Sequence, residues 1–85
     1  MTQEEAVGKV HAFVSERATM PWSIKSVTYR PGDTNPGVSE YDACATWVVV
    51  INDDSDEGKK WGNVYPVVVE EESGEIYYLT PWGKG

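Results

Sequence analysis

Apolar residues recur at spacings of three and four along the first part of the chain. Ala6, Val7, Val10, Phe13, Val14 and Ala18 fall on one helical stripe about 100° wide. Thr2 is placed to cap this helix, and Glu5 three residues later completes a capping-box pattern. Gln3, Glu4 and Glu5 supply polar and negative groups at the positive end of the helix dipole. Gly8 lies opposite the stripe and costs up to about 1 kcal/mol of helix stability relative to alanine. Lys9 and Glu16 fall on the solvated side, and Pro21 prevents the helix from running much beyond Arg17.

After Pro21 the period changes. Residues 22–29 alternate loosely and predict a strand with Ile24, Val27 and Tyr29 at packing positions. Residues 42–51 predict the longest strand, with Ala45, Trp47, Val49 and Ile51 on one side and Cys44, Thr46, Val48 and Val50 on the other. The set containing Trp47 is expected to face the helix. The opposite set is apolar enough that the outer face of the sheet should be partly covered or sticky. Val67, Val68 and Val69, then residues 76–79, make two further runs. The stretch between them, residues 70–75, is too polar to bury and contains Gly74 for a turn, so these runs predict a hairpin. Pro66 cannot donate a ladder hydrogen bond and belongs at the first position of its strand or on an edge. The pattern predicts one α+β domain over residues 1–85: an N-terminal helix packed on an antiparallel sheet of about four strands, in the order α-β-β-β-β.

Two segments lack periodicity. Residues 30–41 carry Pro31, Gly32, Asp33, Asn35, Pro36 and Gly37 and read as a loop. Residues 52–63 read as a second, acidic loop with Asp53, Asp54, Asp56 and Glu57, followed by Lys59, Lys60 and Trp61. Counted as a calcium loop from Asp53, the sixth position is Gly58, but the twelfth is Val64 where a bidentate glutamate is required. A solvated acidic loop is therefore expected, with no metal and no cofactor.

Charge and composition narrow the classes of function. With 40% apolar residues the chain can build a core. Its 14 acids against 7 bases leave a net charge of −7, which repels nucleic acid and anionic lipid and suits solubility or a basic protein partner. A single cysteine, Cys44, excludes an internal disulfide and fits a reducing compartment. No apolar run approaches the ~20 residues of a membrane span, and the opening residues do not read as a signal peptide, so a cytoplasmic location is expected.

Catalytic chemistry finds little to stand on. His11 is the only histidine, at the edge of the helical stripe, and is expected to pack its ring against the sheet. One histidine and one cysteine are too few for a zinc site. Cys44 is expected to be a small core residue. There is no Gly-rich phosphate loop and no GxSxG, and the carboxylates cluster where nothing apolar would raise a pKa for acid catalysis.

Four stretches together carry a resemblance. The opening TQEEAVGKVHAFV, the strand residues Trp47, Val48, Val49 and Val50, Gly62 and Asn63 followed by Pro66, Val67, Val68 and Val69, and the turn Glu71, Glu72, Ser73, Gly74 and Glu75 before an apolar strand resemble the immunity protein 35 or YrhB-type domain family. The resemblance spans nearly the whole chain. It implies a capped helix before a small antiparallel sheet, and a protein that binds rather than catalyses. Members are regarded as immunity proteins that neutralise a co-encoded toxin, and a YrhB-type member as chaperone-like. Two spacings depart from the family pattern: two residues separate Asn63 from Pro66, and the loop from Pro31 to Gly37 is particular to this chain. The candidate partner-binding residues are Asp53, Asp54, Asp56, Glu57 and Trp61 in the acidic segment, and Trp82 in the tail of Thr80, Pro81, Trp82 and Gly83. The alternative is an accessory protein that holds a peptide or enzyme of a biosynthetic cluster, by adding a strand to the sheet edge. The sequence sets no oligomeric state.

Overall fold

A computed structural model of the chain describes residues 1–33, 35–39 and 43–78. Helix α1 spans Gln3–Arg17. The Thr2 hydroxyl accepts from the Glu5 amide at 3.2 Å and donates to the Glu5 carboxylate at 3.3 Å. The glutamate thus returns to the capping hydroxyl and not to the backbone N–H of a full capping box. At the other end Ala18 turns extended while its amide still reaches the Val14 carbonyl at 2.7 Å. Arg17 donates to the Phe13 carbonyl and lies 4.0 Å above the Phe13 ring, a cation suited to the helix C-terminus.

Four antiparallel strands follow in the spatial order of the sequence: β1, Trp22–Arg30; β2, Thr46–Asp53; β3, Val64–Glu70; and β4, Ile76–Tyr78. The α-β-β-β-β order expected from the pattern is the order observed, with a short helix added between β2 and β3, described below. Val10 and Val14 of α1 close a fully buried cluster with Val49 and Ile51 of β2 and Val67 and Val69 of β3. The helix crosses the width of the sheet: His11 meets Trp22 on β1 at 5.1 Å between ring centroids, and Phe13 meets Tyr78 on β4 at 4.7 Å. The N-terminal ammonium pairs with Glu71 at the β3–β4 turn, 3.6 Å away.

The loose alternation of β1 has a physical cause. Its register against β2 shifts between Ile24 and Ser26, so Lys25 is an extra, bulged residue. The bulge lets Ile24 and Val27, three apart in sequence, both face α1 opposite Ile51 and Val49. Tyr29 then pairs with Trp47, and their rings tilt together at 4.9 Å. Trp47 shares the inner face with Val49 and Ile51, as expected, but it lies near the end of β2 and is only half-buried. The centre of the sheet belongs to Val49 and Ile51.

Other boundaries differ from the pattern. Residue 42, where the second strand was expected to begin, lies outside the described residues; β2 starts at Thr46 and runs on to Asp53. Cys44 precedes the strand, half-buried and outside the core cluster. Pro66 is the third residue of β3, just past the last described β3–β4 pair, Val67 with Tyr78. On its β2 side it pairs with Val50, so it is not at the first position of its strand, and the residue after Tyr78 lies outside the described residues. The β3–β4 turn closes as expected with Gly74 at φ 74°, its amide on the Glu70 carbonyl at 2.8 Å.

Candidate functional site

The acidic segment is not a loop. After β2 ends at Asp53, residues Asp56–Trp61 form a second helix, α2, at the end of the sheet. Six residues are too few to hold a helix by propensity alone, so its ends must be satisfied locally. Ser55 is the N-cap: its hydroxyl oxygen accepts from the Gly58 amide at 3.0 Å. Gly62 takes the left-handed conformation at φ 64°, and the Gly58 carbonyl accepts from both the Gly62 and Asn63 amides. Asp56 and Glu57 lie in the first turn and Lys59 and Lys60 in the last, each on the side the helix dipole favours.

The flanks tie α2 to the sheet. The Asp54 amide donates to the Pro21 carbonyl at 2.9 Å, and the Asp53 amide to the Asn63 carbonyl at 3.1 Å. Gly58 is buried against Asp53, whose side chain and carbonyl fill the space a Cβ would need. These contacts make α2 a fixed part of the domain.

The four acids of the segment therefore divide. Asp53 is half-buried, and its Oδ1 accepts from the Ser55 hydroxyl at 2.6 Å and the Ser55 amide at 3.0 Å. These bonds, with a further one from Asn63, hold its carboxyl below the ordinary carboxylate range. Asp53 thus supports the cap of α2 through its Oδ1. Asp54 is half-buried beside it, whereas Asp56 and Glu57 are exposed. Trp61 stands 67% exposed at the C-terminal end of α2, one turn beyond Glu57, with Lys60 Nζ 5.3 Å from its ring centre. The structure therefore gathers Asp56, Glu57 and Trp61 on one short helix and withdraws Asp53 into its cap. Trp82 and the tail around it lie outside the described residues.

A hollow of about 310 Å³ lies beside α2, lined by Lys25, Asn52, Asp53, Asp54, Lys59 and Asn63 among others. Its two lysines match its two aspartates, and Val64 also lines it, so polar and apolar groups share its walls, whereas organic-ligand pockets are mostly apolar. Among the described residues no three of His, Cys, Asp and Glu are grouped as a metal site requires. His11 packs on Trp22 as expected and has Ser15 Oγ 3.4 Å from Nδ1. Both residues are exposed, and among the described residues no carboxylate orients the imidazole. No described helix is long and apolar enough to cross a membrane.

Comparison with models of known protein families, with curated proteins and with solved structures yields no match.

Proposed function

We propose that the chain is a non-catalytic protein-binding module of the immunity type, which neutralises a basic partner by covering its working surface. The observation that carries this reading is Trp61, a large aromatic held 67% exposed on a helix whose two ends are both capped. A rigid, exposed tryptophan loses little conformational freedom on binding and buries a large apolar area, which is what interface anchors do. Asp56 and Glu57, exposed on the same helix, add local negative charge to a chain of net −7 and favour a basic partner. The resemblance to the immunity protein 35 or YrhB-type domains supports the same reading, and the helix-then-sheet order agrees with it.

The test is a kinetic binding assay against the partner captured from the native host. Asp56→Asn combined with Glu57→Gln should slow association by ~3-fold or more at low salt and leave dissociation nearly unchanged. Trp61→Ala should act mainly on dissociation, raising it by ~10-fold or more. Wild-type association should itself fall as salt shortens the Debye length from ~10 Å toward 3 Å. Rates unmoved by either variant would remove α2 from the interface. Strand addition along β1, as the accessory or chaperone-like role would use, then becomes the better reading, because among the described residues β1 has a strand neighbour on one side only.

A further inference from the structure

Within α2 one exposed acid and the exposed tryptophan stand in a fixed relation. Glu57 and Trp61 are four residues apart, so one helical turn brings them to the same side, with Cβ atoms ~6 Å apart. The rest of the short helix is turned elsewhere: Gly58 is buried against Asp53, and Lys59 lines the hollow. Lys60 Nζ lies 5.3 Å from the centre of the Trp61 ring, within the range of a cation–π contact. Among the described residues neither Glu57 nor Lys60 makes an ion pair. An indole face that already attracts a cation thus stands beside a carboxylate that has none.

We propose that Glu57 and Trp61 together take one arginine side chain of the partner, and that Lys60 holds its place in the free protein. This inference rests on the reading of α2 as the binding surface and names the group recognised there. Charge selects a cation, because the chain carries −7 and both Asp56 and Glu57 are exposed on α2. Side-chain chemistry then selects arginine over lysine. A guanidinium is planar and weakly hydrated, so laid flat on the indole it still directs N–H groups in its own plane toward the Glu57 carboxylate. An ammonium is a compact, strongly hydrated point charge. Lys60, seated over the ring, leaves Glu57 unpaired. Because α2 is capped at both ends, the carboxylate and the ring are presented with little left to order on binding. When the arginine arrives, Lys60 swings away on its flexible stem, and one cation over the ring replaces another.

The probes are three blocked tripeptides, acetyl-Gly-Arg-Gly-amide and its lysine and citrulline counterparts. Each is titrated into the full chain while the Trp61 indole N–H is followed by NMR, the signal being identified by its loss in Trp61→Phe. The arginine peptide should shift it saturably and bind ~3-fold or more tightly than the lysine peptide. The uncharged citrulline peptide should leave it in place. Glu57→Gln should bring the arginine peptide down to the level of the lysine peptide. Lys60→Gln should tighten the arginine peptide by ~2-fold or more, and Lys59→Gln, the same loss of charge on the hollow side of α2, should change it less. All three variants alter exposed side chains, and thermal melts check that they remain folded. Arginine and lysine peptides that bind alike, a preference that survives Glu57→Gln, a Lys60 variant no tighter than the Lys59 variant, or no shift at all would overturn the proposal. The partner assay with Trp61→Ala fails separately. Faster dissociation there without an arginine preference here keeps α2 as the binding surface and removes the arginine, whereas unmoved dissociation there removes α2 itself.

Discussion

The Ser55 hydroxyl donates to Asp53 Oδ1 at 2.6 Å while the same oxygen accepts the Gly58 amide at 3.0 Å. One serine thus links the last residue of β2 to the first turn of α2, and the carboxylate polarises the hydroxyl that caps the helix. Ser55→Ala should destabilise the domain by about 0.5–2 kcal/mol through loss of the cap. It should also release Asp53 toward the ordinary carboxylate range, since the Ser55 hydroxyl is the largest cause of its lowered pKa. The folded-state value lies below the unfolded one, so this contribution is present above pH 3.8 and is lost as pH falls through the lowered value. An NMR titration of the Asp53 carboxyl in both proteins checks this; identical midpoints would mean that the serine does not hold the carboxylate.

Two glycines should respond to alanine with opposite signs. Gly8 is exposed in the middle of α1, with nothing within 4 Å of a built Cβ, so Gly8→Ala should stabilise by about 0.5–1 kcal/mol. At Gly58 the Cβ would collide with the Asp53 side chain and carbonyl, and Gly58→Ala should cost about 1–3 kcal/mol by displacing α2. Urea melts of the two variants decide it. A stabilised Gly58→Ala would mean that α2 sits further from β2.

The alkaline limb of stability should belong to the tyrosines. The Tyr77 hydroxyl donates to Glu75 at 2.8 Å and to Glu70 at 3.4 Å, and these bonds, with burial and the two negative charges, raise its pKa from 10.0 to about 12. Tyr29 is raised as well, chiefly by its hydrogen bond to Glu71. A raised folded-state value means that the native protein holds the proton longer than the unfolded chain. The contribution is therefore whole below pH 10 and is lost as pH climbs toward 12. Tyr77→Phe should flatten that decline in a series of melts at rising pH, leaving the smaller slope due to Tyr29. An unchanged slope would place the Tyr77 hydroxyl in solvent.

Legibility in the sequence followed the range of the forces involved. Helix α1 could be read because its stripe repeats over fifteen residues and its cap is three residues away from its partner. The hairpin could be read because Val67, Val68 and Val69 and the run from Ile76 flank a turn with the necessary glycine. The bulge at Lys25 could not, since a register shift is a property of two paired strands, and in one strand it shows only as spoiled alternation. Helix α2 was missed for another reason. At six residues it is shorter than the window in which a helical period can be recognised, and Gly58 in its middle resembles a breaker. Its end signals were nonetheless local: Ser55 before Asp56 and Glu57, lysines after them, and Gly62 at the close. Counting acids as equivalent hid the difference between Asp53 and Glu57, because only side-chain hydrogen bonds separate them.

The extra residue in β1 makes that strand unusually forgiving of a change in length. Removing Lys25 brings Ile24 and Val27 two residues apart, the natural spacing for neighbours on one face, and leaves every pairing on either side unaltered. Removing Thr28 instead shifts the residues beyond it by one, turning Tyr29 away from Trp47 and Arg30 inward. The first deletion variant should fold and melt cooperatively, and the second should not. The first should also prove less soluble, because a regular β1 presents an unbroken row of backbone groups that the bulge and its lysine now interrupt. Single-residue losses in relatives of this chain would then be expected to collect at Lys25, in the middle of a strand where deletions are ordinarily purged.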